Sequence, residues 1–174
     1  MIRIMTETDS EQIDRPAEPW TYPYVASAVD FGSNLKVVIR DVDDAAVGYR
    51  LVPTLYIANP NRPVMGFLDE FCENHGLHPL IREKGENPTR YQLEITRRDD
   101  LHHFLRLIQP YVIARQVPVD VLVEDLLPGL DEGKHSDEEG FLELMGYVDQ
   151  IREHTHGTGK RKYTQEYFRD EFGL

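Results

Sequence analysis

Seven histidines, a single cysteine and one glycine-basic turn are the residue types in this chain that lend themselves to chemistry on their own. The histidines are His75, His78, His102, His103, His135, His154 and His156. A zinc ion gathers three or four nitrogen or sulfur ligands, whereas His154 and His156 form an i, i+2 pair without a cysteine cluster. No metal site is expected. Cys72 stands on an amphipathic stretch and reads as packing rather than as a nucleophile. A glycine-rich phosphate loop with a trailing Lys-Ser/Thr is absent from the sequence. The turn "GTGKRK" could touch phosphate, but its place suits the capping of the helix that ends near His154. What remains is a set of polar side chains alternating with apolar ones: Lys36, Arg40, Arg50, Arg82, Lys84, Arg90 and Gln92, with Glu94 among them. Alternation makes them solvent-facing, the default for one side of an antiparallel sheet. In a chain of formal net charge −12 they still amount to a basic island.

The elements that carry these residues can be read from periodicity. Tyr22–Asp30, "YPYVASAVD", is short, apolar and rich in small residues, as in a buried helix. In "NLKVVIRDV", Leu35, Val37 and Ile39 share one face and Lys36, Val38 and Arg40 the other. After the turn "DDAAVG", the strand "YRLVPTLYIAN" sets Leu51, Leu55 and Ile57 inward and Arg50, Thr54 and Tyr56 outward, with Pro53 marking a bulge or an edge. "PVMGFLDEFCENHG" is an amphipathic helix with Val64, Phe67, Leu68 and Phe71 on a face, stopped by Gly76. The strands "LHPLIREKG" and "TRYQLEITR", joined by "ENP", place Tyr91, Leu93 and Ile95 opposite Arg90, Gln92, Glu94 and Thr96. A helix opened by Asp99 or Asp100 carries Leu101, Phe104, Leu105 and Ile108 up to Pro110. Three further helices follow: "PVDVLVEDLLPGL", one opened by Ser136 with Glu139 as its capping box, and "TQEYFRDEF".

The 174 residues suit one domain with a small appendage. Residues 1–18 are polar and acidic and read as a disordered arm, residues 19–130 as the main domain, and residues 131–174 as a helical extension packed on it. No apolar run approaches the roughly 20 residues that span a bilayer. A lone cysteine allows no intramolecular disulfide, so a cytoplasmic location is the default expectation. Thirty-one acidic residues against 19 basic ones, with lysine scarce, suit a halophilic protein that stays hydrated in molar salt.

The order α-β-β-α-β-β-α, opened by a small-residue helix ending in Asp30, resembles the layout of the LAGLIDADG homing endonucleases. The likeness is carried by "YVASAVDFGSNLKV" at Tyr24–Val37 and then by "RLVPTLYIAN", "FLDEFCENHGL", "LHHFLRLIQPYVIARQ" and "KYTQEYFRDEF". It covers Tyr22–Arg115 well and the C-terminal helices more loosely. The resemblance implies an α+β saddle whose sheet lies on double-stranded DNA. With one motif it also implies a homodimer on a roughly palindromic site, with Ala26, Ser27 and Ala28 at the helix–helix contact. The alternative for that helix is ordinary burial inside a monomer. On the strand faces, the same resemblance assigns DNA contacts to Lys36, Arg40, Arg50, Arg82, Lys84, Arg90 and Gln92; arginine or lysine can bond guanine, and glutamine adenine.

The resemblance also implies a departure. In that family an acid at the eighth motif position holds the divalent metal that activates water. Here Asp30 falls on the sixth position and Gly32 on the eighth. Arg115 matches a basic active-site residue, and Asn59 a polar residue near the attacking water. The expectation is therefore a DNA-binding homodimer that does not cleave and has no cofactor. Two alternatives stand beside it. One is an endonuclease that uses Asp30 with Mg²⁺, the helix end being distorted at Gly32; the other is a protein-interaction module on the same fold.

Overall fold

A computed structural model describes residues 19–85, 89–155 and 161–174. The acidic arm expected at residues 1–18, the "ENP" turn, His156 and the first part of the glycine-basic turn lie outside these. Helix α1 (Thr21–Gly32) leads directly into β1 (Ser33–Asp41), and β2 (Tyr49–Asn59) returns antiparallel to it. Helix α2 (Arg62–Asn74) crosses to a second hairpin, β3 (Leu80–Lys84) and β4 (Arg90–Ile95). The two hairpins join through β2 and β4, giving one antiparallel sheet of order β1-β2-β4-β3. Helix α3 (Arg98–Ile108) ends in a 3-10 turn at Gln109–Tyr111. A helical run follows as α4 (Gln116–Val121), a π-helical turn at Leu122–Leu126 and α5 (Leu127–Asp131), and then α6 (Glu138–Glu153) and α7 (Gln165–Phe172).

Alternation decides which side of the sheet is covered. Leu35 and Val37 from β1, Leu51, Leu55 and Ile57 from β2, and Leu93 and Ile95 from β4 are all buried on one side. There they meet Val25 and Val29 of α1, Met65 and Leu68 of α2, Leu101 and Phe104 of α3, and Phe141 and Met145 of α6 in one continuous core. Each buried aliphatic or aromatic side chain contributes about 1.5–3 kcal/mol relative to exposure, so this side of the sheet is committed to the helices. Helix α7 is held by aromatic packing: the Phe168 ring lies 4.8 Å from that of Tyr49 and 4.9 Å from that of Phe141.

Two local expectations change and a third is narrowed. Pro53 makes no bulge, since the β1–β2 register runs unbroken through Val37↔Pro53. Pairing of β2 with β4 begins only at Leu55, so Pro53 sits where the strand has a single partner, the place a missing N–H is tolerated. The cap of α6 is Asp137, whose carboxylate accepts the Gly140 N–H at 2.8 Å, and Ser136 belongs to the preceding turn. A Cβ on Gly140 would lie 2.2 Å from the Lys134 carbonyl oxygen, so the turn approaches the helix too closely for a side chain there. Helix α3 starts before Asp99, and the buried Asp100 instead accepts the backbone N–H of His78 at 3.2 Å.

Candidate nucleic-acid interface

The uncovered side of the sheet follows from its register. Lys36, Val38 and Arg40 on β1 stand opposite Thr54, Val52 and Arg50 on β2; Tyr56 and Ala58 stand opposite Glu94 and Gln92 on β4; and Arg82 and Lys84 on β3 stand opposite Gln92 and Arg90. Because side chains alternate across a strand, all these residues share the face that the helices leave open. Lys36, Arg40, Arg50, Arg82, Lys84 and Arg90 are exposed and Gln92 half-buried. The seven sequence-selected residues are thus brought together on one surface.

Two features of that surface were hidden in the linear order. Arg40 faces Arg50 directly, and Lys84 faces Arg90 directly. Like charges in directly opposed positions destabilise a sheet, and here they occupy the outer part of each hairpin. Arg50 has an exposed partner in Asp44 at 3.4 Å. Between the two charged ends lies a quieter centre. The Lys36 ammonium sits over the Tyr56 ring, 5.1 Å from its centroid, and Thr54, although on the open face, is only 1% exposed. Tyr56 stands directly opposite Glu94; burial first, and then the charge of Glu94, push its hydroxyl above the ordinary phenol range.

Around the C-terminal end of α1 the structure gathers Asp30, Gly32 and Arg115. One carboxylate oxygen of Asp30 accepts the N–H of Arg115 at 3.0 Å, and the other accepts that of Ile113 at 2.9 Å. The Arg115 guanidinium donates to the Ser33 carbonyl oxygen at 3.1 Å. Asp30 therefore braces residues 113–115 against α1. The helix runs on through Asp30 to Gly32 without a left-handed residue, so the distortion that could redirect Asp30 does not occur. Asn59 closes β2, where its side-chain oxygen accepts the Asn61 N–H at 2.8 Å and shapes the turn into α2.

Mg²⁺ takes oxygen ligands in near-octahedral geometry. Gly32 has no side-chain donor, both Asp30 oxygens are engaged by backbone N–H groups, and Arg115 brings positive charge to the same place. These residues do not fit the metal. Among the described residues, no three His, Cys, Asp or Glu side chains converge in a way that could hold one.

Ala26, Ser27 and Ala28, expected at a dimer contact, are placed differently from one another within the single chain. Ala26 is 0% exposed, spent within its own core. Consecutive residues point about 100° apart on a helix and cannot share a face. The large exposed side chains of α1 and its N-cap are Trp20, Tyr24 and Phe31, spaced four and seven residues apart, with Ser27 and Ala28 half-buried beside them. Phe31 is 88% exposed, and Ile113, held beside it by Asp30, is 84% exposed. Tyr111 and Val117 are exposed as well, the Tyr111 ring stacked on that of Tyr22. A signal for the exposure of Phe31 existed in the sequence: it is out of phase with Val25 and Val29.

The remaining chemical candidates are structural. Cys72 is buried, and desolvation pushes its thiol up to about 12. Arg161 of the glycine-basic turn donates to the Arg152 carbonyl oxygen at 2.7 Å, capping the end of α6. His154 bonds the Gln150 carbonyl of its own helix. Among the described residues, no helix is long and apolar enough to cross a membrane.

No family model matches the sequence, and no curated protein matches it either. Solved structures do match. The homing endonuclease I-CvuI in complex with DNA superimposes with a TM-score of 0.72 at 16% identity, over 88% of this chain and 94% of that one. The archaeal intron-encoded homing endonuclease I-Vdi141I, complexed with DNA, gives 0.72 at 22% identity, over 87% and 93%. The LAGLIDADG homing endonuclease I-SmaMI, bound to cleaved DNA, gives 0.68 at 13% identity, over 87% of this chain but 47% of that one. The superpositions take in most of this chain, its four antiparallel strands and the helices that back them, so this chain has the fold of the LAGLIDADG homing endonucleases.

Proposed function

We propose that this protein binds double-stranded DNA as a homodimer and does not cleave it. The observation that carries the reading is the register of the sheet. It gathers Lys36, Arg40, Arg50, Arg82, Lys84 and Arg90 on one open face, in a chain of net charge −12, and sets two like-charge pairs directly across from one another. Such pairs oppose folding and are retained where an anion meets them. Duplex DNA supplies phosphates at the spacing of a sheet face, and Gln92 with the arginines supplies donors for base edges. The neighbours of the same fold named above are DNA complexes, which supports the same surface here.

The partner copy sits on Tyr24 and Phe31 of α1 together with Ile113, large apolar side chains that are open to solvent. A symmetric dimer doubles the DNA face and reads a roughly palindromic site. Loss of cleavage rests on Gly32, which stands where a carboxylate would hold metal, and on Asp30, which is engaged as a brace. In molar salt phosphate attraction is largely cancelled, because log affinity falls by about 0.9 per neutralised phosphate for each decade of salt. Recognition in a halophilic cytoplasm then depends on base contacts and shape.

The test is selection from a randomised duplex library in molar KCl, with and without Mg²⁺, followed by sequencing of bound and cut DNA. Enrichment of a near-palindromic site without cuts supports the proposal. Site-specific cuts abolished by Asp30→Asn would favour an active endonuclease. No enrichment at any salt would remove DNA as the partner.

A further inference from the structure

Glu94 is the carboxylate set in the middle of the basic face. It stands opposite Tyr56 on β2 and Leu80 on β3, half-buried, with Gln92 two residues before it on the same face. A carboxylate there repels phosphate and weakens any contact based on charge alone. Nor is it spent on neutralising the cations. Its direct cross-strand neighbour is Tyr56, whose ring carries the Lys36 ammonium at 5.1 Å. A carboxylate offers about four acceptor positions, and here they lie on the open face. Acceptor-only chemistry in a major groove finds its match in an exocyclic amino group, that of cytosine above all.

We infer that Glu94, set opposite Tyr56 across the strands, is a specificity-determining residue that selects cytosine at one position in each half of the bound DNA site. The inference rests on the DNA-binding reading above and goes beyond it in assigning one base to one side chain. The charged ends of the face, Arg40 with Arg50 and Lys84 with Arg90, then supply attraction, while the centre supplies discrimination. Glu94 gains nothing from a phosphate and loses its partner when the amino group is missing, so its effect is on selectivity rather than strength.

The experiment is duplex selection in molar KCl with the wild type, Glu94→Gln and Tyr56→Phe, each checked for an unchanged melting temperature. The wild type is expected to enrich cytosine at one position per half-site by about tenfold over other bases, the lower range for one good base contact. Glu94→Gln should lose that preference or move it to adenine, which an amide can bond twice, and should bind random duplex more tightly. Tyr56→Phe should soften the same preference without moving it. If Glu94→Gln enriches the same bases as the wild type at every position, the assignment is overturned while DNA binding stands. If the wild type enriches no duplex, the binding reading itself fails and takes the assignment with it.

Discussion

The Asp30 carboxylate and the backbone N–H of Arg115 meet at 3.0 Å across 85 residues of sequence, and the other oxygen of the same carboxylate takes the N–H of Ile113. This brace ties the end of the motif helix to the segment that carries the exposed Ile113. Hydrogen bonds to a charged group contribute about 1.5–3 kcal/mol each. Asp30→Ala should therefore lower the unfolding free energy by roughly 2–4 kcal/mol in urea titrations, and Asp30→Asn, with one acceptor oxygen, by about half of that. Equal stability of the three chains would show that Asp30 is not a brace.

Arg40→Gln is expected to act with opposite signs on folding and on binding. Removing one member of the Arg40–Arg50 pair relieves a repulsion across the strands, stabilising the fold by about 0.2–1 kcal/mol. The slope of log affinity for DNA against log salt should become shallower by about 0.9 for each phosphate that the variant no longer neutralises. Thermal melts and salt-dependent binding on the same preparation check both halves.

Phe31→Arg and Ile113→Arg should leave the melting of the single chain nearly unchanged, because both side chains are open to solvent. Each should convert a dimer into a monomer, read by sedimentation across a range of concentrations. Ser27→Ala, whose hydroxyl is turned back to the Tyr24 carbonyl oxygen at 2.7 Å, should leave association intact. A dimer that persists in both arginine variants would move the interface elsewhere.

A Cβ on Gly32 would meet the Ala58 carbonyl oxygen at 3.7 Å and the Ile57 Cγ2 at 3.9 Å, which are ordinary contacts. Gly32→Asp is thus expected to fold, with a loss of about 0.3–1 kcal/mol from placing an acid at a helix C-terminus. In the homodimer it would return a carboxylate to each motif helix. The expected gain is Mg²⁺-dependent cutting of the selected duplex, seen on a gel beside the uncut wild-type reaction. A variant that folds and binds yet never cuts would place the defect beyond this one position.

Burial, and then the guanidiniums of Arg98 and Arg50, hold the His135 imidazole below its ordinary value of 6.5, and its Nδ1 is buried without a hydrogen-bond partner. The unfolded chain then takes up the proton first. Stability from this group is complete above about pH 6.5 and is lost as pH falls through the window between that value and the lower folded one. Glu143, lowered by its bond to Lys134, contributes in the other window, losing its share only as pH falls below its ordinary value of 4.5. Urea midpoints between pH 7.5 and 5.5 should fall for the wild type and stay flatter for His135→Gln. Parallel curves for the two chains would count against a titrating His135.

Much of this protein is determined by short-range pattern. Alternation in "NLKVVIRDV" and "TRYQLEITR" is enough to separate Leu35, Val37, Leu93 and Ile95 from Lys36, Arg40, Arg90 and Gln92, because the period of a strand is two wherever one side is buried. The layout of helices and hairpins, and with it the resemblance in fold, follows from the same local signals. Gly32 and Asp30 were legible as residue types in the motif helix. Tertiary structure decided the rest. Pairing of Arg40 with Arg50 and of Lys84 with Arg90 depends on register, which is set by how whole hairpins pack. Tyr56 lies opposite Glu94 only because two hairpins distant in sequence join through β2 and β4. Ala26 went to the core and Phe31 to the surface because the rotation of α1 is fixed by what lies beneath it. Asp30 became a brace because residues 113–115 fold back to it from 85 positions away, a contact that no local rule can supply.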